Sequence, residues 1–178
     1  MTIRPILEVP DPRLRLISKP VETVDDAVRT LVADMFDTMY DAPGIGLAAI
    51  QVGVPLRILV IDLQEDEEIG DDGESKPVRT PRVFINPEIV SPAADRATYN
   101  EGCLSVPEQY ADVERPTSCR ARWTDLDGVD HDEAIEGMLA TCLQHEMDHL
   151  EGVLFIDYLS RLKRDMVLKR LAKLKKAA

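Results

Sequence analysis

The segment 137–150, GMLATCLQHEMDHL, constrains this chain more than any other stretch. Its pattern reads as a helix, with Gly152 just past the end, where glycine favours a left-handed cap. Two of the three histidines, His145 and His149, stand four apart within it. On a helix that spacing puts both rings on one face, one turn apart, where both can ligate a single ion. Glu146 follows His145 directly. The segment therefore carries H-E-x-x-H, in which two histidines bind a metal and the glutamate is a general base for metal-bound water rather than a ligand. The competing reading is two ordinary, partly buried histidines. The metal reading is preferred because the pair sits inside the full motif, flanked by Glu146 and Asp148.

Two histidines need a third ligand if the ion is to be held with one position open. Downstream lie Glu151, Asp157 and Asp165, but no histidine. Upstream, the run EGCLS at 101–105 offers Cys103 as a candidate thiolate. Taken alone this signal is weak, since a buried free cysteine is the commoner fate of such a residue. A closed site is the alternative. Cys142, His145 and His149 could share one helix face and, with Cys103, form a saturated Cys2His2 centre. That reading ranks lower because it leaves Glu146 without a role. A chain of 178 residues also does not need a metal merely to fold.

The length fits one domain, 1–178, and the mix of 44% hydrophobic and 30% charged residues is ordinary for a globular chain. Three cysteines make no disulfide framework and point to reduced thiols in a cytoplasmic setting. There is no apolar run long enough for a membrane span or a signal peptide. A net charge of −12 argues against a general or sequence-specific nucleic-acid binder. The charge is uneven. Residues 161–178 hold eight basic side chains and one acid, while the rest of the chain is strongly acidic.

Apolar residues at Val24, Val28, Leu31, Met35 and Met39 predict a helix over 24–40, started by Thr23 with Asp26. Residues 44–55 read as a small-residue loop, and 56–63 as a buried strand. The stretch 64–81 reads as an exposed acidic insertion. A short strand is expected at 83–85, before Asn86-Pro87. Asp127-Gly128 predicts a tight hairpin turn between strands at 119–126 and 129–135. A basic C-terminal helix is expected within 159–178, with an apolar stripe of Leu159, Leu162, Met166, Val167, Leu171 and Leu174. Strands and helices come in mixed order without a βαβ rhythm. The class expected is α+β, with mostly antiparallel sheets packed around the metal-binding helix and a further helix near each end.

Three motifs in order, GIGLAAIQ at 44–51, EGCLS at 101–105 and QHEMDH at 144–149, closely resemble peptide deformylase. That family removes the formyl group from newly made bacterial proteins. The resemblance implies that Cys103, His145 and His149 hold one divalent metal and that Glu146 is the acid/base. It implies that the Gln51 amide and the Leu104 backbone N–H contact the developing oxyanion. Gly46 matches a position that pairs with substrate backbone. Glu101 and Asp148 match carboxylates that orient the ligands. Ile45, Tyr99, Gly102, Met138, Thr141 and Cys142 match positions at the substrate, although plain core is the competing reading for the apolar ones. The resemblance implies Fe2+ as the physiological ion, while a thiolate with two imidazoles also suits Zn2+, Ni2+ or Co2+. It implies formylated nascent peptides as substrates, the ribosome as a partner of the basic C-terminal helix, and no membrane. Pro43 and Tyr110 depart from residues carried by some members, and the 64–81 stretch is longer than in some.

Overall fold

The structure, a computed structural model, describes residues 2–178. Helix α1 (Asp26–Asp41) precedes nine strands. These are β1 (Gly46–Ala48), β2 (Ile58–Ile61), β3 (Glu67–Ile69), β4 (Ser75–Pro77), β5 (Arg82–Pro92), β6 (Arg96–Cys103), β7 (Val106–Pro116), β8 (Ser118–Thr124) and β9 (Asp130–Glu136). Helices α2 (Gly137–Leu150) and α3 (Arg161–Ala177) follow. Five strands form an antiparallel sheet in the order β1-β2-β5-β8-β9, and β3-β4 and β6-β7 form separate antiparallel hairpins. The α+β class with antiparallel sheets is as expected.

Strand β2 explains why α1 and α2 can share one sheet. All four of its residues are buried. Leu59 and Ile61 join Phe84, Ala121 and Trp123 against Ala140, Cys142, Leu143 and Leu150 of α2. Ile58 and Val60 join Val28, Leu31, Met35 and Met39 of α1. With side chains alternating between faces, an all-aliphatic strand can bury both. A further cluster joins Val106 and Val113 of β7 to Leu7, Leu14, Phe155 and Ile156, and to Val167 and Leu171 of α3. Helix α2 is thus enclosed by the large sheet on one side and by the β6-β7 hairpin with the 155–158 turn on the other.

Several local expectations need correction. The cap of α1 is Asp25, whose side chain accepts from the Val28 N–H at 2.9 Å, not Thr23. The supposed loop 44–55 holds β1 and a 3-10 turn, Ala49–Val52. The strand expected at 83–85 continues to Pro92, because the chain absorbs Asn86-Pro87 in a bulge with Asn86 at φ 50°. The turn at Asp127-Gly128 is wider than a two-residue loop. Asp125 accepts from Asp127 N–H and Val129 N–H there, and Gly128 takes φ 75°. The hairpin β6-β7 was not foreseen at all. On α3 the predicted stripe fails: only Val167 and Leu171 are buried, while Leu162 is 72% exposed and Met166 and Leu174 are also exposed. The helix meets the body along one narrow line, so residues outside it face solvent whatever their polarity.

Candidate metal centre

Helix α2 starts at Gly137, directly after β9, with φ 66°, so the chain turns sharply from sheet into helix. His145, Glu146 and His149 are all buried on it. Cys103 ends β6, where the register with β7 shifts. One donor atom each from Cys103, His145 and His149 lies within 4.8 Å of the others. Cys103 Sγ is 3.3 Å from His149 Nε2. The two rings sit 5.2 Å apart at 70°. Cys142 is not in this group. Its Sγ faces Gly46 instead, where an added Cβ would fall 2.9 Å away, and burial pushes its thiol pKa well up. A protonated thiol aimed elsewhere does not fill a fourth ligand position, so the geometry disfavours the closed Cys2His2 reading.

The His145 ring is held from behind. His145 Nδ1 is 2.9 Å from Glu101 Oε2, which leaves Nε2 as its free nitrogen. Arg115 donates to both oxygens of Glu101, from Nε at 2.5 Å and from Nη2 at 2.9 Å. Its Nη1 donates to Asp148 Oδ2 at 2.8 Å, and that oxygen also accepts from the Tyr158 hydroxyl. Asp148 therefore acts on His145 through Arg115 and Glu101, not directly. Burial opposes the Glu101 charge, but bonds from His145 and Arg115 outweigh it and hold the pKa below the usual carboxylate range. Sequence reasoning missed Arg115. Its signal was available: two carboxylates beside a buried site need a cation, and Arg115 is the first basic residue after the EGCLS run.

Burial drives His149 well below its ordinary pKa, which favours the neutral ring that metal binding requires. Two buried atoms at the centre find no hydrogen-bond partner, Glu146 Oε2 and His149 Nδ1. Burial raises the Glu146 pKa to about 7. A thiol, two imidazole nitrogens and an unpaired buried carboxylate oxygen beside them fit a divalent cation with an open position.

A cleft of about 480 Å³ opens over this centre. Ile45, Gly46, Tyr99, Gly102, Met138, Thr141 and Cys142 line it, as do Gln51, Cys103, Leu104, His145 and Glu146. A Cβ on Gly46 would lie 2.6 Å from Glu146 Oε1 and 2.9 Å from Cys142 Sγ, so any side chain there would have to displace one or both. Gln51 is 1% exposed, at the 3-10 turn after β1. Its Oε1 accepts from Ala48 N–H at 2.9 Å, and its Nε2 lies 3.0 Å from Ser105 Oγ and 3.6 Å from Cys103 Sγ. Pro43 lines the cleft, and Tyr110 stands at it 70% exposed. Sequence reading did not single out Asn100, Glu108 and Gln109, which also line the cleft. Strand β1 is the edge of its sheet, so the cleft borders unpaired strand backbone.

The family described as polypeptide deformylase matches residues 3–165. A peptide deformylase from Rhizorhabdus wittichii is 70% identical over 99% of this chain and 98% of its own length. One from Novosphingobium aromaticivorans is 64% identical over the full length of both. Among solved structures, a peptide deformylase from Legionella pneumophila is 48% identical with a TM-score of 0.84, covering 99% of this chain and 97% of its own. One from Ehrlichia chaffeensis, solved in complex with actinonin, is 41% identical with a TM-score of 0.86, over 97% of this chain and 98% of its own. With a matching motif set, fold and site, this chain belongs to the polypeptide deformylase family.

Proposed function

We propose that Cys103, His145 and His149 hold the metal on which this chain's deformylation depends, and that Glu146 moves the protons. The reaction is hydrolysis of the N-formyl amide of formyl-methionine on a new peptide, releasing formate. A divalent ion bound there would polarise the formyl carbonyl and lower the pKa of water beside it. Glu146 takes a proton from the attacking water and delivers it to the departing amine nitrogen. Gln51 Nε2 and the Leu104 N–H donate to the carbonyl oxygen as it gains charge. The exposed edge of β1, with Gly46 at its start, takes the peptide backbone as an added strand. Ile45, Tyr99, Met138, Thr141 and Cys142 accept the methionine side chain, and Gly102 lets the substrate lie close to β6. Fe2+ is the ion we assign, with Zn2+, Ni2+ and Co2+ as chemically matched substitutes.

The observation that carries this reading is the meeting of the three donor atoms within 4.8 Å beside the partnerless Glu146 Oε2. Anaerobic purification with metal analysis tests it, together with formate release from formyl- and acetyl-methionine tripeptides. One ion per chain, and formate release that a chelator abolishes, are expected. Equal turnover of the acetyl peptide would turn the assignment toward a broader N-acyl hydrolase. Cys142→Ser is expected to leave the ion in place, checked by metal content after dialysis; loss of the ion would revive the closed site.

The partner we assign to α3 is ribosomal RNA. Lys169, Arg170, Lys173, Lys175 and Lys176 are exposed, and no helix of the described residues is long and apolar enough to cross a membrane. We assign the protein to the cytoplasm, acting on nascent chains; its three free cysteines suit a reducing compartment. Replacing Lys169, Arg170, Lys173 and Lys176 by glutamine spares the buried Val167 and Leu171. Ribosome affinity in sedimentation assays should fall by about tenfold or more, with a shallower salt dependence. Turnover of a formyl-methionine tripeptide should not change. Unaltered ribosome binding would remove this partner.

A further inference from the structure

The stretch 64–81 is tied down at its base by one buried carboxylate. Asp62, 1% exposed, directly follows β2. Its Oδ1 accepts from the Gln64 N–H at 3.2 Å and from the Thr80 N–H at 3.1 Å, so both ends of the stretch converge on it. Its Oδ2 accepts from the Tyr40 hydroxyl at 2.5 Å, which reaches across from the last turn of α1. The Arg79 guanidinium lies 4.0 Å above the Tyr40 ring, within cation–π range. Burial and the neighbouring Asp62 raise the Tyr40 pKa, which keeps the hydroxyl a donor.

The same cluster reaches the cleft. The Asp62 N–H donates to Ile45 O at 2.9 Å, and Gln64 Nε2 donates to Gly44 O at 3.4 Å. Gln64 holds φ 52°, a left-handed conformation that non-glycine residues keep only where their surroundings demand it. Gly44 and Ile45 line the cleft just before β1. With both carbonyls already bonded within the protein, the loop backbone is held before a peptide arrives, and less of the ordering cost of pairing remains.

We propose that Asp62, with Tyr40 and Gln64, positions the loop at 44–46 for an extended peptide, so that the base of the 64–81 stretch governs affinity for residues beyond formyl-methionine and leaves the formyl chemistry alone. This rests on the reading of the β1 edge as the peptide-pairing strand. Loosened positioning weakens binding in ground and transition states alike, so it raises KM without lowering kcat. A defect at the metal centre would lower kcat instead.

Tyr40→Phe and Gln64→Ala each remove one link, with Asp62→Asn as the stronger perturbation. Each metal-loaded variant is assayed with a formyl-methionine tripeptide and with formyl-methionine amide, and amide hydrogen exchange is followed at Ile45 and Gly46. For the tripeptide, KM should rise about five- to tenfold, the loss of roughly one hydrogen bond's worth of binding, with kcat within about twofold. The short amide should be turned over as by the wild type, and exchange at Ile45 and Gly46 should quicken. If Asp62→Asn does not fold, the two milder variants carry the test. Unchanged tripeptide KM in both, or an equal loss on both substrates, overturns the proposal. A wild-type protein that gains nothing from the tripeptide over the short amide overturns the strand-pairing reading too; a wild type that does gain, with variants that match it, sinks the positioning role alone.

Discussion

Glu146→Gln is expected to keep its metal, keep its fold and lose deformylation by about 10²–10⁴-fold. The substitution is nearly isosteric at a side chain that is 4% exposed. The partnerless Oε2 means that no hydrogen bond of the folded chain is lost there. Burial already disfavours the carboxylate, raising its pKa to about 7, so a neutral amide should leave thermal stability unchanged or slightly higher. What the amide cannot do is accept a proton from water and return it to the leaving amine. The check is metal content, a thermal melt and formate release on one preparation. Activity within about tenfold of wild type would place the proton transfer on another group.

The sequence made α2 legible because two independent patterns agreed there. The segment reads as a helix closed by Gly152, and the histidine spacing puts both rings on one side of it. Cys103 was legible only as a weak candidate, since nothing local marks a thiol as a ligand; its position is set by a bulged strand end distant in sequence from α2. The β6-β7 hairpin escaped because its inward face is mixed, with Val106 and Val113 in a hydrophobic cluster and Gln109 and Arg115 at the site. Inward positions on β7 hold Gln109 and Arg115, with Val113 between them. Such a strand lacks the aliphatic alternation on which strand reading depends. On α3 the mismatch runs the other way: apolar residues at helical spacing form a stripe of which the body covers only a part. Periodicity reports that a helix has a face, but not how wide a surface that face will meet. The cleft residues near the glycine motif were foreseen by resemblance alone. Asp62 was not foreseen, because an acid at the end of a buried strand looks like an ordinary exit to solvent.

Arg115→Met should be the most damaging single change outside the ligands themselves. Arg115 is 4% exposed and neutralises Glu101, itself 7% exposed. Removing it leaves a buried carboxylate with only His145 for company. Breaking one side of such a pair typically costs about 3–5 kcal/mol, because the remaining charge keeps its desolvation penalty and loses its partner. For a chain of this length that corresponds to a melting temperature lower by about 10 °C. The loss should reach the metal as well, since Glu101 fixes the ring of His145. Removing an orienting partner commonly weakens metal affinity by about 10- to 100-fold, to be read in competition with a chelator. Arg115→Lys should rescue little, because one ammonium cannot bridge both oxygens of Glu101 and Asp148. The decisive comparison is the double variant Arg115→Met, Glu101→Gln. If the stability loss comes from a stranded charge, removing that charge returns much of it, while metal affinity stays low for want of an orienting carboxylate. If instead the double variant is as unstable as the sum of the singles, Arg115 acts through packing against Tyr158, whose ring lies 5.0 Å from its guanidinium, and the electrostatic account of this network is wrong.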